Sequence, residues 1–186
     1  INASNLNGQN GFSINGISGN SEGESNGDSS GFSVSSTGGI DGDGFDDIII
    51  GAPWANKGVG QSYIIYGQDT FPQQINLSAF EDGFTINGID SIDGRSGHSV
   101  NTAGDVNADG VSDIIISAPW VNNGTGQSYV MFGSDDGFSQ QVNLSNLNGT
   151  NGFTINGINA GDGSGSSVSG CGDINGDGIV DIIIGA

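Results

Sequence analysis

Two stretches of this chain place oxygen-bearing side chains at positions 1, 3, 5 and 9 of a nine-residue loop, with glycine at position 6. They are Asp105-Val-Asn107-Ala-Asp109-Gly110-Val111-Ser-Asp113 and Asp173-Ile-Asn175-Gly-Asp177-Gly178-Ile179-Val-Asp181. Oxygens at that spacing can converge on one hard cation; the glycine permits the sharp turn, and the carbonyl of residue 7 (Val111 or Ile179) adds a further oxygen. The donor set favours Ca2+. Mg2+ prefers a smaller octahedral shell that keeps its waters, and zinc takes His or Cys, of which the chain has one each. The alternative is a bare turn, since Asp, Asn and Gly also make tight turns between strands. A turn needs one or two such residues, however, and these loops hold four at fixed offsets.

A third loop is a degraded copy. Asp41, Asp43, the Phe45 carbonyl and Asp47 fall at positions 3, 5, 7 and 9, but position 1 is Gly39. The missing side-chain oxygen predicts weaker binding there, or a water in the gap. None of the three is an EF-hand, which needs a bidentate Glu at position 12 and a helix after the loop. Position 12 of the two complete loops is Ile116 or Ile184, and each of the three loops runs into Asp-Ile-Ile-Ile. That β-branched run reads as a buried strand.

The elements that hold the loops repeat with them. Position 1 falls at Gly39, Asp105 and Asp173, spacings of 66 and 68 residues. Each unit has an outer strand (Gly11–Gly16, Gly83–Gly88, Gly152–Gly157), then a variable loop and a small-residue strand at Gly31–Val34, Gly97–Val100 or Gly165–Val168. The acidic loop and the Ile-rich strand follow, then a strand at Gln61–Tyr66 or Gln127–Phe132. With 36 glycines among 186 residues, this turn-rich pattern predicts an all-β chain whose four-stranded antiparallel units are propeller blades. About 2.7 units are present, at 1–74 with the degenerate loop, 75–141 with a complete one and 142–186 with a complete loop but a truncated blade. Propellers close with roughly four to eight blades, so closure is expected to need further repeats or neighbouring subunits.

The loops followed by Asp47-Ile-Ile-Ile-Gly-Ala-Pro53 and Asp113-Ile-Ile-Ile-Ser-Ala-Pro119 resemble the FG-GAP repeat of integrin α-chain β-propellers and their bacterial relatives. The likeness covers nearly the whole chain. It departs at Gly39, at the Phe-Gly half of the motif (here Gly-Phe, Gly-His or Gly-Ser) and after Gly185-Ala186. The resemblance implies metal loops on a lower face and ligand contacts on an upper face. By position the upper face comprises Trp54–Gly60, Trp120–Gly126, Ser18–Ser30, Asp90–Ser96 and Asn159–Ser164. Trp54 and Trp120 either stack on a sugar ring or a partner's side chain, or plug gaps between blades. The second reading is favoured, because equivalent residues recur in a repeat for packing reasons. The 18–30 loop, with Glu22, Glu24 and Asp28, is a recognition loop, a holder of an additional cation, or a solvated excursion.

Charge narrows the partners. The net charge is −19, with only Lys57 and Arg95 basic, and ten of the 21 acidic residues lie in the three loops. Nucleic acid and anionic membrane surfaces need basic patches, and direct membrane insertion needs an apolar run the chain lacks. Uncompensated loop carboxylates would repel one another, so folding and calcium are expected to be linked. Loops of this kind fill where calcium is abundant, which predicts a secreted or cell-surface setting. Cys171 has no partner for a disulfide and reads as a small buried residue, and the single histidine, His98, reads as an ordinary strand residue. No catalytic grouping is discernible, so the segment is expected not to be an enzyme. Two functions remain open: an adhesion or matrix module whose upper loops meet a protein or glycan, or a purely structural repeat of a long secreted protein or filament. A non-catalytic propeller beside an enzyme domain is a variant of the second. Five sequons, at Asn2, Asn76, Asn123, Asn143 and Asn148, matter only where the source glycosylates.

Overall fold

The computed structural model describes residues 2–17, 27–89 and 93–186. Glu22, Glu24 and most of the 18–30 loop lie outside the described residues, as do Ile1 and residues 90–92. The first strands are β1 (Ser13–Asn15), β2 (Ser33–Gly38), β3 (Asp47–Ala52), β4 (Gln61–Ile65), β5 (Gln74–Asn76) and β6 (Gly83–Asn87). They are followed by β7 (Val100–Gly104), β8 (Asp113–Ala118), β9 (Gln127–Met131), β10 (Gln141–Asn143), β11 (Gly152–Asn156), β12 (Ser167–Gly172) and β13 (Asp181–Gly185). The fold is all-β, as the turn chemistry predicts. Among the described residues no helix is long and apolar enough to cross a membrane.

Two sheets are complete four-stranded antiparallel blades, β2-β3-β4-β6 and β7-β8-β9-β11, and β12 pairs with β13. The sequence unit and the sheet are out of phase by one strand. The outer strand that opens the second unit, β6, pairs with β4 of the first, Gln61 opposite Asn87 and Ile65 opposite Gly83. Each connector also lends a short parallel strand to the blade before its own: β10 lies on β6, and β5 lies on β1. Asn87 Nδ2 donates to Asn143 Oδ1 at 3.1 Å across the first of these pairs, and Asn15 Nδ2 to Asn76 Oδ1 at 2.8 Å across the second. A strand so short adds few ladder bonds, and these side-chain bonds reinforce its register.

The core lies between blades. Ile49, Ile64, Phe84 and Ile86 of the first blade pack with Val100, Ile114, Ile116, Tyr129 and Met131 of the second. Side chains alternate across a strand, so Ile50, Tyr63 and Ile65 face the other way, into a cluster with Phe12, Ile14 and Phe71. Ile115 and Val130 likewise pack toward Val168, Ile182 and Ile184. A strand covered on both faces needs no polar alternation, which is why β8 is buried at every residue and reads as an uninterrupted apolar run.

Candidate metal centre

Each acidic loop hangs between two strands that a bulge sets apart. The register slips between Ser36 and Gly38, Thr102 and Gly104, and Gly170 and Gly172. The glycine in each case is left-handed, with φ of 69°, 74° and 73°. Glycine enters that region without steric cost, and the extra residue turns the chain out into the loop. Position 4 is left-handed as well, at Gly42, Ala108 and Gly176, and so is the position-6 glycine, at Gly44, Gly110 and Gly178.

The backbone path is held by the predicted oxygen residues. In the second loop Asp109 N donates to Asp105 Oδ1 (3.1 Å) and Asn107 Oδ1 (3.0 Å), Gly110 N to Asp105 Oδ2 (2.9 Å), and Val111 N to Asp109 Oδ1 (2.9 Å). In the third loop Asp177 N donates to Asp173 Oδ1 (3.1 Å) and Asn175 Oδ1 (2.9 Å), Gly178 N to Asp173 Oδ2 (2.8 Å), and Ile179 N to Asp177 Oδ1 (2.9 Å). Two loops 68 residues apart thus share one scaffold. The first keeps only part of it: Asp43 N donates to Asp41 Oδ1 (3.2 Å) and Phe45 N to Asp43 Oδ1 (2.8 Å). Gly39 has no side chain to take the amide bonds from positions 5 and 6 that Asp105 and Asp173 both accept.

Position 9 closes each loop. Asp113 Oδ2 accepts from Val106 N at 2.8 Å, Asp47 Oδ2 from Ile40 N at 2.7 Å, and Asp181 Oδ2 from Ile174 N at 2.8 Å. The other oxygen of Asp113 accepts from Gly133 N (2.9 Å), and that of Asp47 from Gly67 N (2.7 Å), tying loop to sheet just beyond β9 and β4. This second tie was not legible in the loop motif, because the donor lies 20 residues downstream. Both carboxyls are essentially buried. Burial pushes each up to about 6, against the backbone bonds that lower it, and the carboxylates at positions 3 and 5 (Asp47) or 5 and 1 (Asp113) raise it further. Asp173 is exposed, and its accepted backbone bonds hold its carboxyl below the usual range.

The donor chemistry fits a hard cation, since every side chain in the scaffold offers oxygen. The geometry is that of oxygens turned toward loop amides. Among the described residues no three or more His, Cys, Asp or Glu side chains converge as a group able to hold an ion.

Other predicted residues fall as follows. His98 is not a strand residue: it lies in the bend before β7, because its amide turns back to the Arg95 carbonyl at 3.2 Å. Cys171 is partly exposed rather than buried, whereas Thr37 and Ala103, at the same bulge position, are fully buried. Asp28 is anchored at the first blade, accepting from Ser30 N at 3.0 Å and lying 3.4 Å from the Tyr63 hydroxyl. Trp54 and Trp120 both pack on Arg95, whose guanidinium lies 5.0 and 4.7 Å from the ring centroids. The motif reading missed Arg95; its unusual charge in so acidic a chain was the available signal.

Comparison with known proteins agrees with this architecture. The FG-GAP repeat family matches residues 30–65 and 96–131. Integrin alpha pat-2 of Caenorhabditis elegans is 34% identical over 166 residues, covering 77% of this chain and 12% of that protein. Integrin alpha-PS2 of Drosophila melanogaster is 34% identical over 112 residues, 55% of this chain and 8% of that protein. Phosphatidylinositol-glycan-specific phospholipase D of Bos taurus is 37% identical over 103 residues, 51% of this chain and 12% of that protein. The matched part is therefore a small fraction of each relative. The chain carries FG-GAP repeats, of which residues 30–65 and 96–131 are two, and its blades are of the integrin α-like propeller type.

Proposed function

We propose that this segment is a calcium-binding propeller repeat module of a secreted or cell-surface protein, serving adhesion or matrix contact, and that it is not itself catalytic. The observation that supports it best is the common hydrogen-bond scaffold of the loops at 105–113 and 173–181. Asp105, Asn107, Asp109, the Val111 carbonyl and Asp113 would hold one Ca2+; Asp173, Asn175, Asp177, the Ile179 carbonyl and Asp181 would hold another. Asp41, Asp43, the Phe45 carbonyl and Asp47 form a weaker third set. Bound calcium neutralises carboxylates that otherwise repel one another across each loop. The loops then brace the blade ends: Asp113 links its loop to Gly133 and Asp47 links its loop to Gly67. The units at 1–74, 75–141 and 142–186 would each contribute one such loop, leaving the opposite loops free to contact a protein or glycan.

Similarity to phosphatidylinositol-glycan-specific phospholipase D favours one variant, the same module placed beside a catalytic domain. Calorimetric titration of chelator-treated protein with CaCl2 tests the metal assignment. Two tighter sites are expected, one lost in Asp105→Ala and the other in Asp173→Ala. Absence of binding in millimolar calcium would refute it.

A further inference from the structure

The chain's two basic residues lie in neighbouring loops that are bonded to each other. Lys57 sits in the loop after Trp54, and that loop is bonded to the Arg95 segment: Arg95 N donates to the Gly58 carbonyl at 2.9 Å and Ser96 N to the Val59 carbonyl at 3.1 Å. The Arg95 guanidinium packs on both the Trp54 and Trp120 rings, 5.0 and 4.7 Å from their centroids, and the two tryptophans follow equivalent strands of neighbouring blades. His98 stands edge-on to Trp120, with centroids 4.6 Å apart, and 4.9 Å from Phe32, which in turn reaches Trp54 at 5.2 Å. Phe32 and Trp120 are nonetheless 50% and 41% exposed.

Three features set this cluster apart from ordinary packing. Arg95 has a left-handed backbone (φ 52°), at a position where the third repeat carries Gly163 (φ 66°) and the first Ser29 (φ 56°). A long side chain is thus kept where the backbone favours glycine, and strain of that kind gathers at functional sites. Arg95 Nε and His98 Nδ1 are buried without a hydrogen-bond partner among the described residues. Burial and the neighbouring Arg95 hold His98 below its ordinary pKa, so at neutral pH the aromatic group carries one positive charge, that of Arg95. The Arg95 guanidinium, within 5.0 Å of both tryptophan ring centroids, supplies a planar fork of N–H donors that matches a carboxylate.

We infer that Phe32, Trp54, Arg95, His98 and Trp120 form a binding site for a carboxylated sugar residue. Arg95 pairs with the carboxylate, and the exposed faces of Phe32 and Trp120 receive the apolar face of the ring. The rest of the chain argues for a ligand with a single negative charge. A net charge of −19, with the Asp93 carboxylate against Gly58 and the Asp28 carboxylate 3.4 Å from the Tyr63 hydroxyl, repels strongly acidic peptides and polyanions. This inference deepens the adhesive reading above and rests on it.

Titration of the whole chain in 1 mM calcium with N-acetylneuraminic acid and glucuronic acid, against glucose, N-acetylglucosamine and an acidic hexapeptide, tests it. The acidic sugars are expected to bind at least tenfold more tightly than the neutral sugars and the peptide. Arg95→Gly, which installs the residue of the third repeat, should abolish that preference with Tm and calcium titration unchanged. If that variant is unstable, Arg95→Lys keeps the charge without the planar fork and should lose at least fivefold. Equal binding of neutral sugars, tighter binding of the peptide, or undiminished affinity in either variant overturns the assignment. Capture of neutral glycans or of a protein, with calcium titration intact, leaves the adhesive reading standing while removing this one. A chain that binds neither on an array removes both.

Discussion

Acidification should stabilise the calcium-free protein. Asp47 and Asp113 are buried at the mouths of β3 and β8, and their carboxyls are pushed up from 3.8 to about 6. A folded-state pKa above the unfolded one means that the native form binds the proton more tightly. Stability is therefore fully present below about 3.8 and is lost as pH rises through about 6. From these values, lowering pH from 7.5 to 5.5 is worth about 0.8 kcal/mol per site, or about 1.6 kcal/mol for the pair. For a chain of this size that raises Tm by roughly 3–6 °C. In saturating calcium the bound carboxylates stay ionised, so the gain should vanish. Thermal melts at the two pH values, in EDTA and in calcium, measure both arms. An EDTA sample whose Tm is unchanged or lower at pH 5.5 would refute the reasoning, as would an equal gain in calcium.

Further outcomes follow from the same geometry. Calcium should raise Tm at pH 7.5, since each site adds about 2.7 kcal/mol at a hundredfold excess over Kd; identical melts in EDTA and calcium would contradict this. The first loop should bind most weakly, and Gly39→Asp should tighten it. Gly39 is not left-handed, although its new Cβ would come 3.0 Å from the Phe45 carbonyl, so the loop must yield slightly. Site-resolved titration showing three equal affinities in the unmodified chain would count against the argument. Gly126→Ala should cost more than about 2 kcal/mol in urea unfolding, because φ is 82° and the added Cβ would overlap the Ser164 backbone. Tyr129→Phe should cost about 1 kcal/mol by the same assay, through loss of the 2.7 Å bond from its hydroxyl to Gln127 Oε1.

The nine-residue loops, their degraded first copy, the all-β class and the buried Ile-rich strands were legible in the sequence because each depends on neighbours along the chain. Oxygen spacing, left-handed glycines and β-branched runs act within a dozen residues. Tertiary structure decided what depends on residues far apart. It moved β6 onto the preceding sheet and laid β10 across a blade boundary, since strand pairing answers to edge hydrogen bonds and not to the period of the repeat. It gave Asp47 and Asp113 their second backbone amide partner, 20 residues downstream in each case, and their burial. It also brought Arg95 against two tryptophans 66 residues apart, a contact that only the stacking of one blade on the next creates.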